Sequence, residues 1–199
     1  VKFMQFIAHR INTIDELKKV PTNFGVELDL RDYGNRLILQ HDPFTDGEDF
    51  EEYLKHYNHG LMILNIKSER IEHRVLELVK KYKVRDYFFL DSSFPMIFLL
   101  SKEGEKSIAL RFSELEGLDT ILSMKGKVYW VWVDCFTKLP IDQKSFQILK
   151  DAGFQLCLVS PELQKRESDI EVYNDYLKRE NIVFDAICTK LHNITKWKH

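Results

Sequence analysis

Two charged clusters near the N-terminus contain the residue types of an acid/base site. The first is the pair His9 and Arg10, which follows a short apolar run. In the second cluster, apolar residues alternate with Glu27, Asp29 and Arg31, so these three side chains would share one face of a strand. Two carboxylates on the inner face of a sheet repel one another and lose hydration unless a cation neutralises them. That energetic cost indicates a functional site.

A second histidine, His41, and a lysine, Lys67, lie further along the chain. Because imidazole exchanges a proton near neutral pH, His9 and His41 could act as a general acid and a general base. Their positions alone favour His41 as the acid. The sequence His41, Asp42, Pro43 is also typical of a simple turn, so a structural role for it stays open.

Short apolar runs alternate along the chain with segments of helical periodicity. The predicted strands are 3–8, 26–30, 61–66, 87–91, 107–112, 128–134, 155–160 and 184–189. The predicted helices are 13–20, 50–57, 69–82, 95–102, 118–124, 143–152 and 169–180. Eight strands alternating with helices predict a compact (β/α)8 barrel that occupies 1–199 as one domain, with a doubly wound open sheet as the alternative.

A barrel of this kind carries its active residues at the carboxyl ends of its strands. The two N-terminal clusters and Lys67 fall at such ends. The other polar residues predicted there are Asp91, Arg111, Asp134, Ser160 and Lys190. The distribution therefore predicts one site at the carboxyl-terminal mouth of the barrel.

Composition restricts the partners and the location of the chain. With 29 Lys and Arg against 31 Asp and Glu, the net charge of −2 argues against a nucleic-acid partner held by bulk electrostatics. No apolar stretch approaches membrane-spanning length, and no basic-then-apolar leader is apparent at the start. Cys135, Cys157 and Cys188 are odd in number and lack CxxC spacing, which predicts buried free thiols and a cytoplasmic location.

The order of these motifs resembles the signature of the glycerophosphodiester phosphodiesterases, TIM-barrel enzymes related to the phosphatidylinositol-specific phospholipases C. The motifs that carry the resemblance are His9-Arg10, Glu27-x-Asp29, His41-Asp42, the third-strand run 63–67 and Ser93-Phe94. The resemblance implies a phosphoric diester hydrolase that acts on a glycerophosphodiester or a similar small polyol or sugar phosphodiester. It also implies an acid/base pair of His9 and His41.

The same resemblance implies a divalent metal ion, Mg²⁺ or Ca²⁺, which would be held by Glu27, Asp29 and Asn65. Oxygen ligands of this kind suit those two ions better than zinc. Together with Arg10 and Lys67, the ion would stabilise charge on the phosphate oxygens.

The chain departs from the family pattern at several positions. Asn65 stands where relatives have a glutamate ligand, Ile11 replaces a glycine, and the segments after His9 and His41 are short. A neutral ligand would weaken metal affinity, so the alternative function is an inefficient or inactive barrel that binds a phosphorylated ligand. A phospholipase C-like activity is disfavoured because no apolar membrane-facing segment is evident.

Overall fold

The computed structural model describes residues 4–198, so Phe3, predicted as the first residue of a strand, lies outside the described residues. The strands are β1 Gln5–Ala8, β2 Gly25–Tyr33, β3 Arg36–Leu39, β4 Glu48–Asp49, β5 Met62–Ile66, β6 Tyr87–Leu90, β7 Ala109–Phe112, β8 Trp130–Val133, β9 Gln155–Val159 and β10 Ala186–Thr189. The α-helices are α1 Ile14–Leu17, α2 Phe50–Leu54, α3 Glu72–Lys81, α4 Phe94–Lys102, α5 Asp119–Ser123, α6 Gln143–Asp151 and α7 Asp169–Arg179. Two 3₁₀ helices span Pro161–Gln164 and Leu191–Trp197.

Eight of these strands pair in parallel, in the order β6-β5-β2-β1-β10-β9-β8-β7. They correspond to the eight predicted strands, and the predicted α/β class is confirmed. The sequence reading missed β3 and β4, an antiparallel extension of β2. The hairpin between β2 and β3 turns at Gly34, whose φ of +59° is readily adopted by glycine.

The predicted closure of the barrel needs correction. Between β6 and β7, the described residues form one isolated parallel bridge, Phe89 with Ile108, and a hydrogen bond from Phe89 N to Ser107 O of 2.8 Å. The sheet is therefore a curled, open half-barrel in its strand pairing. Both edge strands contain only four residues, which limits the ladder that could join them.

Strand alternation divides the core into two layers. The larger cluster fills the space between the sheet and the helices. The smaller cluster lies inside the curl of the sheet and takes apolar side chains from β1, β5, β6, β7, β8, β9 and β10. β2 contributes none, because its inward positions are Glu27 and Asp29, while Val26, Leu28 and Leu30 belong to the outer cluster.

Two further observations concern features expected from composition. The three cysteines are buried free thiols, as predicted. In the described part of the chain, every helix is too short or too polar to cross a bilayer.

Candidate active site

Glu27 and Asp29 form the centre of the site. Each is 1% exposed, and both lie on the inner face of β2. β5 runs parallel to β2 with Asn65 in register with Asp29. The side-chain amide of Asn65 donates to Oε1 of Glu27 over 2.8 Å. The structure thus brings together the three residues predicted as metal ligands.

The backbone of Arg10 adopts a left-handed conformation that directs its N–H toward Glu27. Its φ of +56° is uncommon for a residue with a side chain, and its N–H donates to Oε2 of Glu27 over 2.8 Å. The guanidinium Nε of the same residue lies 3.5 Å from Oδ2 of Asp29. One arginine therefore contacts both carboxylates, through its backbone and through its side chain.

Asp29 is held mainly by Asn12, a residue that the sequence reading missed. Asn12 Nδ2 donates to Asp29 Oδ2 over 2.8 Å, and Asn12 Oδ1 accepts from the Asp29 backbone N–H over 2.9 Å. The next residue, Thr13, starts α1 with a capping box that includes Glu16. The capping box, which is visible in the sequence, fixes the segment that carries Asn12.

The burial of Glu27 changes its acidity. Loss of hydration, with a smaller contribution from the charge of Asp29, raises the pKa of Glu27 to about 7. The hydrogen bonds from Asn65 and Arg10 act in the opposite direction. Near neutral pH, the Glu27 carboxyl is therefore protonated in about half of the molecules.

His9 lies between the carboxylates and a lysine. Its Nε2 is 3.7 Å from Oε2 of Glu27, and its Nδ1 is 3.2 Å from Nζ of Lys190. Burial, followed by the charges of Lys190 and Arg10, lowers the pKa of His9 to about 3. Because an ammonium group can only donate, Nδ1 of His9 accepts, and the proton of the neutral ring is on Nε2.

Lys190 is the second functional residue to which the sequence assigned no role, although it was predicted at the mouth. Its backbone N–H donates to Oε1 of Glu162 over 2.9 Å, and the Thr189 hydroxyl donates to the same oxygen over 2.5 Å. Within residues 4–198, no carboxylate forms an ion pair with the Lys190 ammonium. The position of Lys190 after β10 indicated the mouth, but nothing in the sequence indicated its contact with His9.

His41 forms its hydrogen bonds outside this group. Its ring is partly exposed, and Nδ1 lies 2.8 Å from Oδ1 of Asp42. Arg31 fixes the backbone by donating to the His41 carbonyl from Nε and Nη2, at 3.2 and 3.0 Å. Its charge contributes to lowering the pKa of His9, but in the described residues it makes no hydrogen bond to the carboxylates.

Lys67 connects the carboxylate pair to a second charged cluster. Its Nζ lies 3.8 Å from Asp29 and 3.3 Å from Asp91. Arg111 then forms ion pairs with both Asp91 and Asp134. Side chains of alternating charge thus form consecutive ion pairs across the mouth from β2 to β8. They connect polar strand ends that the sequence predicted only as separate residues.

The oxygens of the carboxylate pair, as arranged, do not fit a divalent ion. Both oxygens of Glu27 accept hydrogen bonds from protein donors. Oδ2 of Asp29 accepts from Asn12, and Oδ1 faces the Lys67 ammonium. Among residues 4–198, no three His, Cys, Asp or Glu side chains are grouped to hold a metal. The Oδ1 of Asn65, buried without a partner in that range, is a neutral oxygen left free at the site.

Comparisons with known proteins support the fold. No protein family model matches the chain, and no curated protein sequence matches it significantly. A glycerophosphodiester phosphodiesterase from Agrobacterium tumefaciens str. C58 superposes with a TM-score of 0.66 at 16% identity, covering 95% of this chain and 98% of its own. A glycerophosphoryl diester phosphodiesterase from Parabacteroides distasonis ATCC 8503 gives a TM-score of 0.65 at 13% identity, covering 98% and 86%. The chain therefore has the fold of glycerophosphodiester phosphodiesterases, and the resemblance inferred from its motifs is confirmed at the level of the fold.

Proposed function

We propose that this chain is a phosphoric diester hydrolase that binds the phosphate of a small diester at the mouth of the half-barrel. The observation that carries the proposal is the contact of Lys190 with His9, because that ammonium has no carboxylate partner in the described residues. A cation beside a buried neutral histidine is best satisfied by an anionic ligand. The similarity in fold to two phosphodiesterases is the second support.

The groups around His9 match the needs of phosphate chemistry. Negative charge on the phosphate oxygens increases during hydrolysis, so fixed donors and cations aimed at those oxygens lower the barrier. Arg10, Lys67 and Lys190 provide three cations near the carboxylate pair. The neutral His9 ring adds a hydrogen-bond donor at Nε2.

The hydrogen bonds of the two histidines suggest how they divide the proton transfers. His9 carries its proton on Nε2, so in this proposal it passes that proton to the departing alkoxide while Nδ1 takes a proton from the Lys190 ammonium, which leaves a neutral ring and a neutral amine. In a neutral His41 ring, Nδ1–H donates to Asp42, which leaves Nε2 as the acceptor for the proton of the attacking water or hydroxyl. This assignment reverses the one that position in the sequence favours.

The metal ion and the alcohol groups of the substrate remain predictions from the family resemblance. Mg²⁺ or Ca²⁺ at Glu27, Asp29 and Asn65 would supply positive charge, but the protein donors described above occupy the carboxylate oxygens. From the resemblance, we propose a small glycerol, polyol or sugar phosphodiester as substrate. Because the carboxylate oxygens are occupied, we assign the proton transfers to protein side chains alone.

A second candidate function is a barrel that binds a phosphorylated ligand without efficient turnover. Asn65 favours it, because an amide that donates to Glu27 stabilises the carboxylate pair without a cation. Under this alternative, the cations at the mouth bind the phosphate group, and the histidines contribute contacts only.

One comparison of variants tests both candidates. We expect Lys190→Met to weaken binding of glycerol 3-phosphate, measured by calorimetry in a chelator, by roughly tenfold to a hundredfold, the range of a charge-assisted hydrogen bond. Lys144→Met, at an exposed position of α6, removes the same charge elsewhere and should have no effect. Equal affinities in all three proteins would contradict a phosphate site at Lys190. Hydrolysis of bis(p-nitrophenyl) phosphate by the wild type then separates the enzyme from the binding barrel.

A further inference from the structure

The mouth of the half-barrel is bordered by large apolar side chains that face solvent. In the described part of the chain, the two most exposed ones are Phe44 at 99% and Leu115 at 78%. Phe94 and Phe136 are also exposed. We call these four side chains the apolar rim.

Each member of the apolar rim lies at the carboxyl end of the strands, in a connection or, for Phe94, at the first position of α4. Phe94 follows β6, Leu115 follows β7 and Phe136 follows β8. Phe44 lies in the segment 40–47, which begins where Gln40 N–H donates to the Asp29 carbonyl over 3.0 Å. The rim and the candidate site therefore occupy the same end of the molecule.

Side-chain contacts tie the rim to the charged groups at the mouth. The Arg111 guanidinium lies 5.7 Å from the centre of the Phe136 ring, and Arg111 pairs with Asp91 and Asp134. The Thr137 hydroxyl donates to Glu114 over 2.7 Å, which joins the segment carrying Phe136 to the segment carrying Leu115. Phe136 and the segment that carries Leu115 are thus held in place although both side chains face water.

We propose that the apolar rim docks on a lipid surface, so that the phosphodiester reaching the site belongs to a phospholipid. The inference rests on the proposed function and extends its substrate from a small diester to the head-group phosphodiester of a phospholipid. A phospholipid carries its phosphodiester at the boundary between apolar chains and water, and exposed aromatic and aliphatic side chains partition into that boundary. A mouth that combines cations for phosphate with an apolar rim at the same end of the molecule is complementary to both parts of such a lipid.

The sequence obscured this surface because its members are dispersed. Phe44, Phe94, Leu115 and Phe136 come from four separate segments of the chain. The four residues do not form one contiguous segment, and the lack of an evident apolar membrane-facing segment had counted against a phospholipase-like activity. The fold brings the four segments to one end.

Co-sedimentation with vesicles of phosphatidylcholine and phosphatidylglycerol tests the proposal. We expect the wild type to sediment with the vesicles and the double variant Phe44→Ser/Leu115→Ser to lose on the order of tenfold or more of its partitioning. The matched control is Val183→Ser, which replaces a 62% exposed apolar side chain before β10, at the opposite end of the strands. The control should sediment like the wild type.

The outcomes separate this proposal from the proposed function. A wild type that hydrolyses bis(p-nitrophenyl) phosphate but ignores vesicles would overturn the lipid surface and leave the hydrolase intact. Vesicle binding that depends on the rim without any hydrolysis would support the surface while the hydrolase proposal fails. If light scattering shows a dimer that the double variant dissociates, and vesicles are not bound, the rim is an interface with a second copy and the lipid proposal is wrong.

Discussion

Asn65 presents the nitrogen of its amide, and not the oxygen, to Oε1 of Glu27, at 2.8 Å. This contact neutralises part of the cost of burying a carboxylate, which a cation would otherwise have to offset. The Oδ1 atom of the same amide is left buried without a partner in the described residues. A position predicted to hold metal therefore acts here as a hydrogen-bond donor to its neighbour.

The first prediction concerns this donor. In Asn65→Glu, a third carboxylate would meet Glu27 and Asp29, so the variant should be less stable than the wild type in a chelator. Addition of Mg²⁺ or Ca²⁺ should then raise its melting temperature by several degrees, because binding to the folded state alone stabilises it by mass action. The wild type should respond weakly. Thermal unfolding with and without each ion measures both effects.

Asn65→Gln is the matched control, since it has the length of glutamate without the charge. It should show no more response to metal than the wild type. If the wild type is stabilised by the ions as strongly as Asn65→Glu, the donor set of the wild type holds a metal after all.

The second prediction follows from the raised pKa of Glu27. An acid whose pKa is about 7 when folded and 4.5 when unfolded binds more protons in the folded state between those values. Its contribution to stability is therefore present below pH 4.5 and is lost as the pH rises through 7. Relative to Glu27→Gln, the wild type should lose at most about 3 kcal/mol over that interval.

Urea unfolding of both proteins at pH 4.5, 6 and 8, in a chelator, measures the difference. His9 opposes the trend in both proteins, because its folded pKa of about 3 makes folding less favourable as the pH falls below 6.5. The comparison cancels most of that effect. A difference between the two proteins that does not change with pH would mean that Glu27 is not buried as a carboxylic acid.

The part of the site that follows strand alternation could be predicted from the sequence. Glu27 and Asp29 alternate along β2 with Val26, Leu28 and Leu30. Because side chains of a strand alternate between its two faces, packing the apolar residues against the helices places both carboxylates on the inner face. Helix periodicity and the order of strands likewise predicted the α/β class. These features depend on neighbours in the sequence.

The remaining features depend on contacts between distant segments. Asn12 reaches Asp29 because the segment after β1 contacts β2, where Ile11 N–H donates to the Glu27 carbonyl. Lys190 contacts His9 although the two are 181 positions apart. The incomplete pairing of β6 with β7 is a property of how far the whole sheet curls, which periodicity does not encode. Local patterns indicated polar residues at strand ends but could not show which of these side chains contact one another.

The third prediction tests the strained backbone of Arg10. At φ +56°, glycine avoids the steric cost that a Cβ imposes. Arg10→Gly should therefore be more stable than Arg10→Ala by about 1 kcal/mol, although both lose the contact with Asp29. Denaturant unfolding measures the difference.

Arg31 provides the control position, because it lies within β2, where glycine is unfavourable. Arg31→Gly should be less stable than Arg31→Ala. The same order of stabilities at both positions would show that the backbone at Arg10 carries no strain of this kind.

The last prediction concerns the two histidines. His9→Ala and His41→Ala should each lower turnover of a phosphodiester with an alkyl leaving group by roughly a hundredfold to ten-thousandfold. A p-nitrophenolate leaving group needs little protonation, so it should restore much of the rate in His9→Ala but not in His41→Ala. His73→Ala, at an exposed histidine of α3 paired with Glu103, is the matched control and should leave both rates unchanged. Rescue of His41→Ala alone would restore the opposite assignment, with His41 as the acid. Small, equal losses in both variants, on a substrate that the wild type cleaves, would exclude the pair as proton-transfer groups.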